Sequence, residues 1–208
     1  MLTHIVHSEK MFFMRKFLTL LVLFLSFQSW TKADDIRDFE IEGISIGDSL
    51  LNHFSKKEIE NSRIEFSSKN SKYSYSEISG NFKNFDNLQF IYKYNDKEYK
   101  LAAIVGLIFY DNDLNGCLKK KNLMTESVES IMSSDTDVYS QDGYPHSQMF
   151  AKSLVYTTEF TFKNGDVARV YCLNWSRNTE NSKGWTDHLS LNVQTAKFYY
   201  WLNNEAYN

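Results

Sequence analysis

The chain is short of the residues that build most catalytic and cofactor motifs. It has only two cysteines, Cys117 and Cys172, and they lack the C-x-x-C spacing of redox and zinc sites. The three histidines that follow residue 33, His53, His146 and His188, form no metal-ligand spacing. No complete catalytic or cofactor signature is therefore present, and the histidines are interpreted as isolated side chains.

Clustered positive charge is also scarce. The formal net charge of the 208-residue chain is −3, and the one run of basic residues is Lys119–Lys121. Binding to the phosphate backbone of a nucleic acid depends on such clusters. We therefore expect no nucleic acid partner.

An apolar run long enough to cross a membrane is absent as well, because the longest apolar stretch, Phe17–Phe27, is short and is interrupted by Thr19. A membrane-spanning helix needs about 20 apolar residues. The stretch follows the basic segment Met14–Lys16, and small residues stand at Thr31 and Ala33 after it. This order is typical of a signal peptide. We predict cleavage after Ala33 and no membrane anchor after cleavage.

Cleavage leaves residues 34–208, which is long enough for one domain with its own core. The removed segment carries four basic residues and one acidic residue, so the mature chain is more acidic than the full chain. Met11 or Met14 is an alternative start. The expected location is the bacterial periplasm or the extracellular medium.

Two cysteines in an exported chain form a disulfide by default, because the destination is oxidising. We predict a bond between Cys117 and Cys172, which closes a loop long enough to stabilise the fold by roughly 4 kcal/mol in the chain-entropy description. A reactive thiol is the alternative, but it lacks the neighbouring histidine that would lower its pKa.

Alternation of apolar and polar residues indicates that strands outnumber helices and pair as hairpins, with Asn164-Gly165 as the clearest turn. The fold class predicted is α+β, an antiparallel sheet packed by a few helices on one face. Strands are predicted at 39–42, 73–78, 88–94, 99–110, 154–162, 167–175 and 188–193. Helices are predicted after residue 48, at 55–59, 122–133 and 196–206, and loops at 134–150 and 176–184.

The segment Gly47–Leu50 resembles the block that names the GDSL, or SGNH, serine hydrolases. The resemblance implies that Ser49 is the nucleophile and that His188 supplies the base. The family pattern has an aspartate three residues before its histidine, whereas Trp185 stands there in this chain and only Asp187 is adjacent. A helix cap at Ser49 is the preferred interpretation, and the hydrolase is kept as an alternative.

The segment that begins at Asp111 resembles the first half of an EF-hand calcium loop. Asp111, Asp113 and Asn115 would supply oxygen ligands, but Asn122 stands where a bidentate glutamate is expected. A polar turn is the preferred interpretation, and calcium is kept as a weak possibility.

The segment 39–59 resembles the opening of a group of uncharacterised exported bacterial proteins, and Cys117 and the tail around Trp201 are similar to that group's pattern. The resemblance implies an exported single domain and no particular activity. Our main hypothesis is a non-catalytic protein that binds a partner protein or a small ligand. The alternatives are a serine hydrolase and an accessory protein of envelope assembly.

The sequence predicts the mass of the exported, unreduced protein. It should equal that of residues 34–208 less about 2 Da, because closing one disulfide removes two hydrogens. Intact mass spectrometry before and after reduction measures both features. A mass that includes the first 33 residues, or one that does not rise on reduction, would contradict the respective expectation.

Overall fold

An antiparallel sheet organises the part of the chain that this computed structural model describes, which is residue 33 and residues 35–66, 71–147, 150 and 152–207. The predicted signal peptide lies outside the described residues except for Ala33. From Ala33 onward the chain is one compact unit. Ala33 itself is buried, and its N–H donates to the carbonyl of Ile131 at 2.8 Å. Cleavage after Ala33 would remove this contact from the mature chain.

Ten strands and four α-helices are present in the described residues. Two 3-10 turns, Ile36–Asp38 and Leu50–Asn52, lie in the first part of the chain. The elements are, in order, β1 Glu40–Ile41, β2 Ile44–Ser45, α1 Lys56–Asn61, β3 Arg63–Glu65, β4 Tyr73–Ser79, β5 Asn87–Lys93, β6 Leu101–Phe109, α2 Leu114–Ile131, β7 Asp137–Pro145, β8 Leu154–Thr161, β9 Val167–Asn174, α3 Arg177–Lys183, β10 His188–Gln194 and α4 Ala196–Asn204.

Eight of the strands form one sheet in the order β3-β4-β5-β6-β10-β9-β8-β7, and β1 pairs with β2 separately. Every neighbouring pair is antiparallel. The predicted α+β class is therefore confirmed. The apolar run Leu101–Phe109 is the central strand β6, as its composition predicts. No helix in the described part of the chain is long and apolar enough to cross a membrane.

The helices pack on both faces of the sheet, so the expectation that they share one face is wrong. Helix α2 covers the face that carries Leu189, Leu191 and the other members of the main core. Helix α4 covers part of the opposite face, where Phe198 and Trp201 pack against β5 and β6. The physical reason is that β6 is apolar on both sides, and such a strand needs cover on both faces.

Three predictions of secondary structure are also wrong. Residues 137–145, predicted as loop, form the edge strand β7, whose side chains are almost all exposed and therefore lack an apolar alternation. Helix α2 begins at Leu114 rather than near residue 122. The predicted loop 176–184 contains α3, which Ser176 caps and Gly184 ends in the left-handed conformation with φ 69°.

A disulfide joins the longest helix to the sheet. The sulfur atoms of Cys117 in α2 and Cys172 in β9 are 2.04 Å apart, as the sequence predicts. Both residues are buried in the main core. The bond therefore fixes α2 against strand β9 of the sheet.

The position of the Phe85 ring requires a glycine at residue 106 in β6. The ring of Phe85 lies over it, and a Cβ added at Gly106 would stand 2.5 Å from the atoms of that ring. Because a glycine leaves this space to the aromatic ring, Phe85 covers the middle of the sheet at the point where Gly106 has no side chain of its own.

We predict that Gly106→Ala lowers the free energy of unfolding by about 1–3 kcal/mol, because the new methyl group has to displace the Phe85 ring. Urea denaturation measures the change. Gly80→Ala is the matched control, since the nearest atom there, on Phe82, would be at the ordinary contact distance of 3.5 Å. Equal loss of stability in the two variants would contradict the packing argument.

Candidate functional site

The structure separates the two residues of the hydrolase alternative. Ser49 forms an isolated antiparallel β-bridge with Lys100, the residue just before β6. Its hydroxyl donates to the carbonyl of Glu98 at 2.5 Å. His188 pairs with Phe109 at the other end of the same nine-residue strand. At about 3.4 Å per residue the two lie about 30 Å apart. Ser49 and His188 therefore do not form a nucleophile and base pair.

Ser49 is also not the helix cap that the sequence predicts. It precedes a single 3-10 turn, and its side chain makes no capping hydrogen bond. Asp48 accepts a hydrogen bond from the Ser45 N–H at 3.0 Å instead. The side chain of His53 lies 3.8 Å from the Asp48 carboxylate, away from His188.

The calcium-like segment is the start of a helix. Asp113 caps α2 by accepting a hydrogen bond from the Gly116 N–H at 2.9 Å, and Asn115 lies within the first turn. Residues after 113 are thus helical where an EF-hand needs a loop. Among the described residues, no group of three or more histidine, cysteine, aspartate or glutamate side chains is placed to hold a metal ion.

A groove of about 330 Å³ lies beside α2, on the face of the main core. Its walls are mainly apolar and include Phe39, Met124 and Leu191. The carboxylate of Glu42 at its rim accepts hydrogen bonds from the backbone N–H groups of Lys83 and Asn84. That carboxylate is therefore engaged within the protein, while Glu40, Lys120 and Ser127 also line the groove.

The opposite face of the sheet carries a different set of side chains. In the register of the strands, Glu159, Arg169 and Asn192 stand side by side in one row across β8, β9 and β10. Thr157, Tyr171 and Ser190 form the next row. We call this surface the polar sheet face. Its members are Glu77, Gln89, Thr157, Glu159, Arg169, Tyr171, Ser190, Asn192 and Gln194.

Helix α4 and an aromatic cluster stand at the two ends of this face. The N–H of Ala196 donates to the carboxylate of Asp166 in the β8–β9 turn at 2.8 Å, which anchors the start of α4. At the other end, the ring of Trp175 packs against those of Trp185 at 4.6 Å and His146 at 5.1 Å. The polar sheet face lies between helix α4 and this aromatic cluster.

Three acceptor groups of the polar sheet face, on Glu77, Glu159 and Asn192, accept hydrogen bonds from neighbouring donors. The carboxylate of Glu77 accepts from the side-chain amides of Asn87 and Gln89 at 3.0 and 2.8 Å. The Tyr199 hydroxyl of α4 donates to Glu159 at 3.3 Å. The amide oxygen of Asn192 accepts from the hydroxyl of Ser190 at 2.6 Å, and Ser190 is fully buried.

Several donor groups of the same face have no partner. The side chain of Arg169 makes no hydrogen bond or ion pair with the described residues, and its guanidinium stacks over the ring of Tyr171 at 4.8 Å. Five buried side-chain polar atoms in the described part of the chain lack a hydrogen bond. Four of them lie on this side of the sheet, and they are Thr157 Oγ1, Arg169 Nε, Trp175 Nε1 and Gln194 Nε2. A buried polar group without a partner typically costs about 1–3 kcal/mol, which makes such a concentration unusual for a purely structural surface.

Two histidines border the face, and the pKa of each is lowered from its ordinary value. Burial lowers the pKa of His146, and the positive charge of Arg169 lowers it further. Burial also lowers the pKa of His188, while a hydrogen bond to the carbonyl of Thr186 acts in the opposite direction.

Sequence reasoning interpreted His146 as an isolated side chain, gave His188 a role only in the hydrolase alternative, and did not identify Arg169, Asn192 and Glu159. Polar residues do alternate along β9 and β10, and this period-two pattern indicates that one face of each strand is polar. The pattern alone does not say which strands are neighbours. Only the register places Glu159, Arg169 and Asn192 in one row.

Comparisons with known proteins add no relative to this description. No protein-family model matches the chain, and neither the curated proteins nor the solved structures contain a significant match. The site is therefore assessed on its own geometry.

The two histidines predict how stability depends on pH. Their pKa is lower in the folded chain than in the unfolded chain, so the unfolded state binds more protons as pH falls below the ordinary value near 6.5. The free energy of unfolding should therefore decrease as pH falls from 8 through about 6.

Urea denaturation across this pH range measures the effect. The variant His146→Phe keeps a ring against Trp175 and should show a shallower decrease with falling pH than the wild type. A wild-type stability that stays constant over the range, or a variant with the same dependence, would contradict the assignment.

Proposed function

We propose that this chain is an exported, non-catalytic binding protein and that the polar sheet face is its ligand site. The observation that carries the proposal is the set of unpartnered donors on one sheet face, between helix α4 and the aromatic cluster of Trp175, Trp185 and His146. Binding sites combine aromatic walls with a few directed polar groups, and this surface has both.

Export is supported by two features of the sequence and one of the structure. The opening of the chain has the order of a signal peptide, and residues 39–59 resemble those of exported bacterial proteins. The disulfide between Cys117 and Cys172 is the kind of bond that persists in an oxidising compartment.

Binding is favoured over hydrolysis because the groups that a hydrolase needs are not together. Ser49 and His188 lie at opposite ends of β6, and Ser49 donates its hydroxyl hydrogen to a backbone carbonyl. The polar sheet face, in contrast, offers hydrogen-bond donors held by strands and no nucleophile placed beside a base. A rigid set of donors binds a ligand without the need for a reaction.

The test is a thermal-shift screen of residues 34–208 against a chemically mixed set of organic acids, sugars, amino acids and short peptides. At least one compound should raise the melting temperature, because a ligand that binds only the folded state stabilises it. The shift should be lost in Arg169→Gln, which removes the central donor of the face.

Arg63→Gln is the matched control for this screen. Arg63 also stacks over a tyrosine, with its guanidinium 5.0 Å from the ring of Tyr94, but it is paired with Glu65 at 2.9 Å and lies away from the polar sheet face. Stabilisation should persist in this variant. If no compound gives a shift that depends on Arg169, the proposed site is refuted.

A further inference from the structure

We infer that the polar sheet face recognises a carboxylate group, which Arg169 binds together with the side-chain amide of Asn192. This inference rests on the proposed function, because it names the chemical class of ligand for the same face. It comes from comparing the donors and acceptors that the face leaves available.

Around Arg169 and Asn192 the face offers hydrogen-bond donors, whereas the neighbouring acceptors are engaged. Glu77, Glu159 and the amide oxygen of Asn192 already accept hydrogen bonds from neighbours. The guanidinium of Arg169 and the amino group of Asn192 donate to no described residue. A ligand that pairs with these two side chains must therefore bring acceptor atoms.

Arg169 and Asn192 are placed to act on one group. They are directly opposite each other in the pairing of β9 with β10, where facing side chains start about 5 Å apart. The ring of Tyr171 supports the guanidinium, and the hydrogen bond from Ser190 fixes the amide of Asn192 with its amino group unpaired. Both donors are thus oriented before a ligand arrives, which reduces the entropy lost on binding.

The positive charge of Arg169 selects an anion. Arg63 shows how an arginine of this protein behaves when its role is structural, because it donates to Glu65 and Ser74 and lies 3.7 Å from Glu60. Arg169 stacks on a tyrosine in the same way but has no carboxylate within ion-pair distance among the described residues. A planar carboxylate matches the two parallel N–H groups of a guanidinium.

Glu159 lies on the other side of Arg169 and reduces the strength of the site. It is directly opposite Arg169 in the pairing of β8 with β9, and its carboxylate is held by Tyr199. A second carboxylate bound at Arg169 would be repelled by this charge. The site should therefore bind a simple carboxylate weakly, with a Kd of roughly millimolar order.

The experiment is an NMR titration of ¹⁵N-labelled residues 34–208 with sodium acetate, with sodium chloride added to keep the ionic strength constant. The Nε–H signal of Arg169 and the side-chain NH₂ signals of Asn192 should shift in a saturable manner. Acetamide, which has the same shape without the charge, should give no saturable shift. Linear shifts with acetate, or saturation by acetamide as well, would overturn the inference.

Three variants separate recognition from general effects. Arg169→Gln should weaken acetate binding by at least about tenfold, as expected for loss of a hydrogen bond to a charged group. Arg169→Lys should be intermediate, because it keeps the charge but loses the planar pair of donors. Arg63→Gln should leave binding unchanged, and an equal loss in this control would contradict the site.

Glu159→Gln provides a test by gain of binding. It keeps the shape and an acceptor for Tyr199 while removing the negative charge next to Arg169, so acetate should bind a few-fold more tightly. Unchanged or weaker binding would contradict the placement of the carboxylate beside Arg169. This variant remains informative if Arg169→Gln fails to fold.

The two proposals fail in different ways. If neutral compounds in the thermal-shift screen stabilise the protein through Arg169 while acetate gives no saturable shift, the ligand class is wrong and the binding function stands. If neither the screen nor acetate gives an effect that depends on Arg169, both proposals are refuted.

Discussion

The pairing of β6 with β10 is the interaction on which the rest of this structure depends. It joins β3–β6 to β7–β9, because β10 lies between β6 and β9 in the sheet. The pair is continuous over seven residues, from His188 opposite Phe109 to Gln194 opposite Ala103. Without it, neither the main core under α2 nor the polar sheet face would exist, since both are assembled from strands of both halves.

This pairing also explains why the two faces of the sheet differ. Alternate residues of β10 point to opposite sides, so Leu189, Leu191 and Val193 enter the core beneath α2. The residues between them, Ser190 and Asn192, point to the other side and meet the polar residues of β9. A single strand thus supplies a packed core and a hydrogen-bonding surface.

The disulfide and the glycine of β6 hold the core side firmly. Cys117 ties α2 to Cys172 in β9, and Phe85 closes over Gly106. Rigidity on that side has a consequence for the polar sheet face. Its donors stand on strands that the core fixes, so the pairing of β9 with β10 sets the separation of Arg169 and Asn192. The ligand site that we propose depends on this fixed separation.

Parts of the fold were predictable because their signals are local. The turn at Asn164-Gly165 is a hairpin signal in itself, and the apolar run within residues 99–110 indicates a central strand. Two cysteines in an exported chain leave only one possible pairing within it. The edge strand β7 was missed since nearly all its side chains are exposed and carry no apolar alternation. The start of α2 was misplaced because Asp113 caps a helix with the same residues that resemble a calcium loop.

The sequence by itself determined the α+β class, the central strand, the disulfide and the acidic character of the chain. These features follow from the alternation of apolar and polar residues, from the composition and from cysteine chemistry. None of these signals depends on how distant segments of the chain are arranged in space. Only the tertiary structure decided that Ser49 and His188 lie far apart and that Glu159, Arg169 and Asn192 share one row. The reason is that strand order and register arise from contacts between residues distant along the chain, and no local pattern encodes which polar faces will meet.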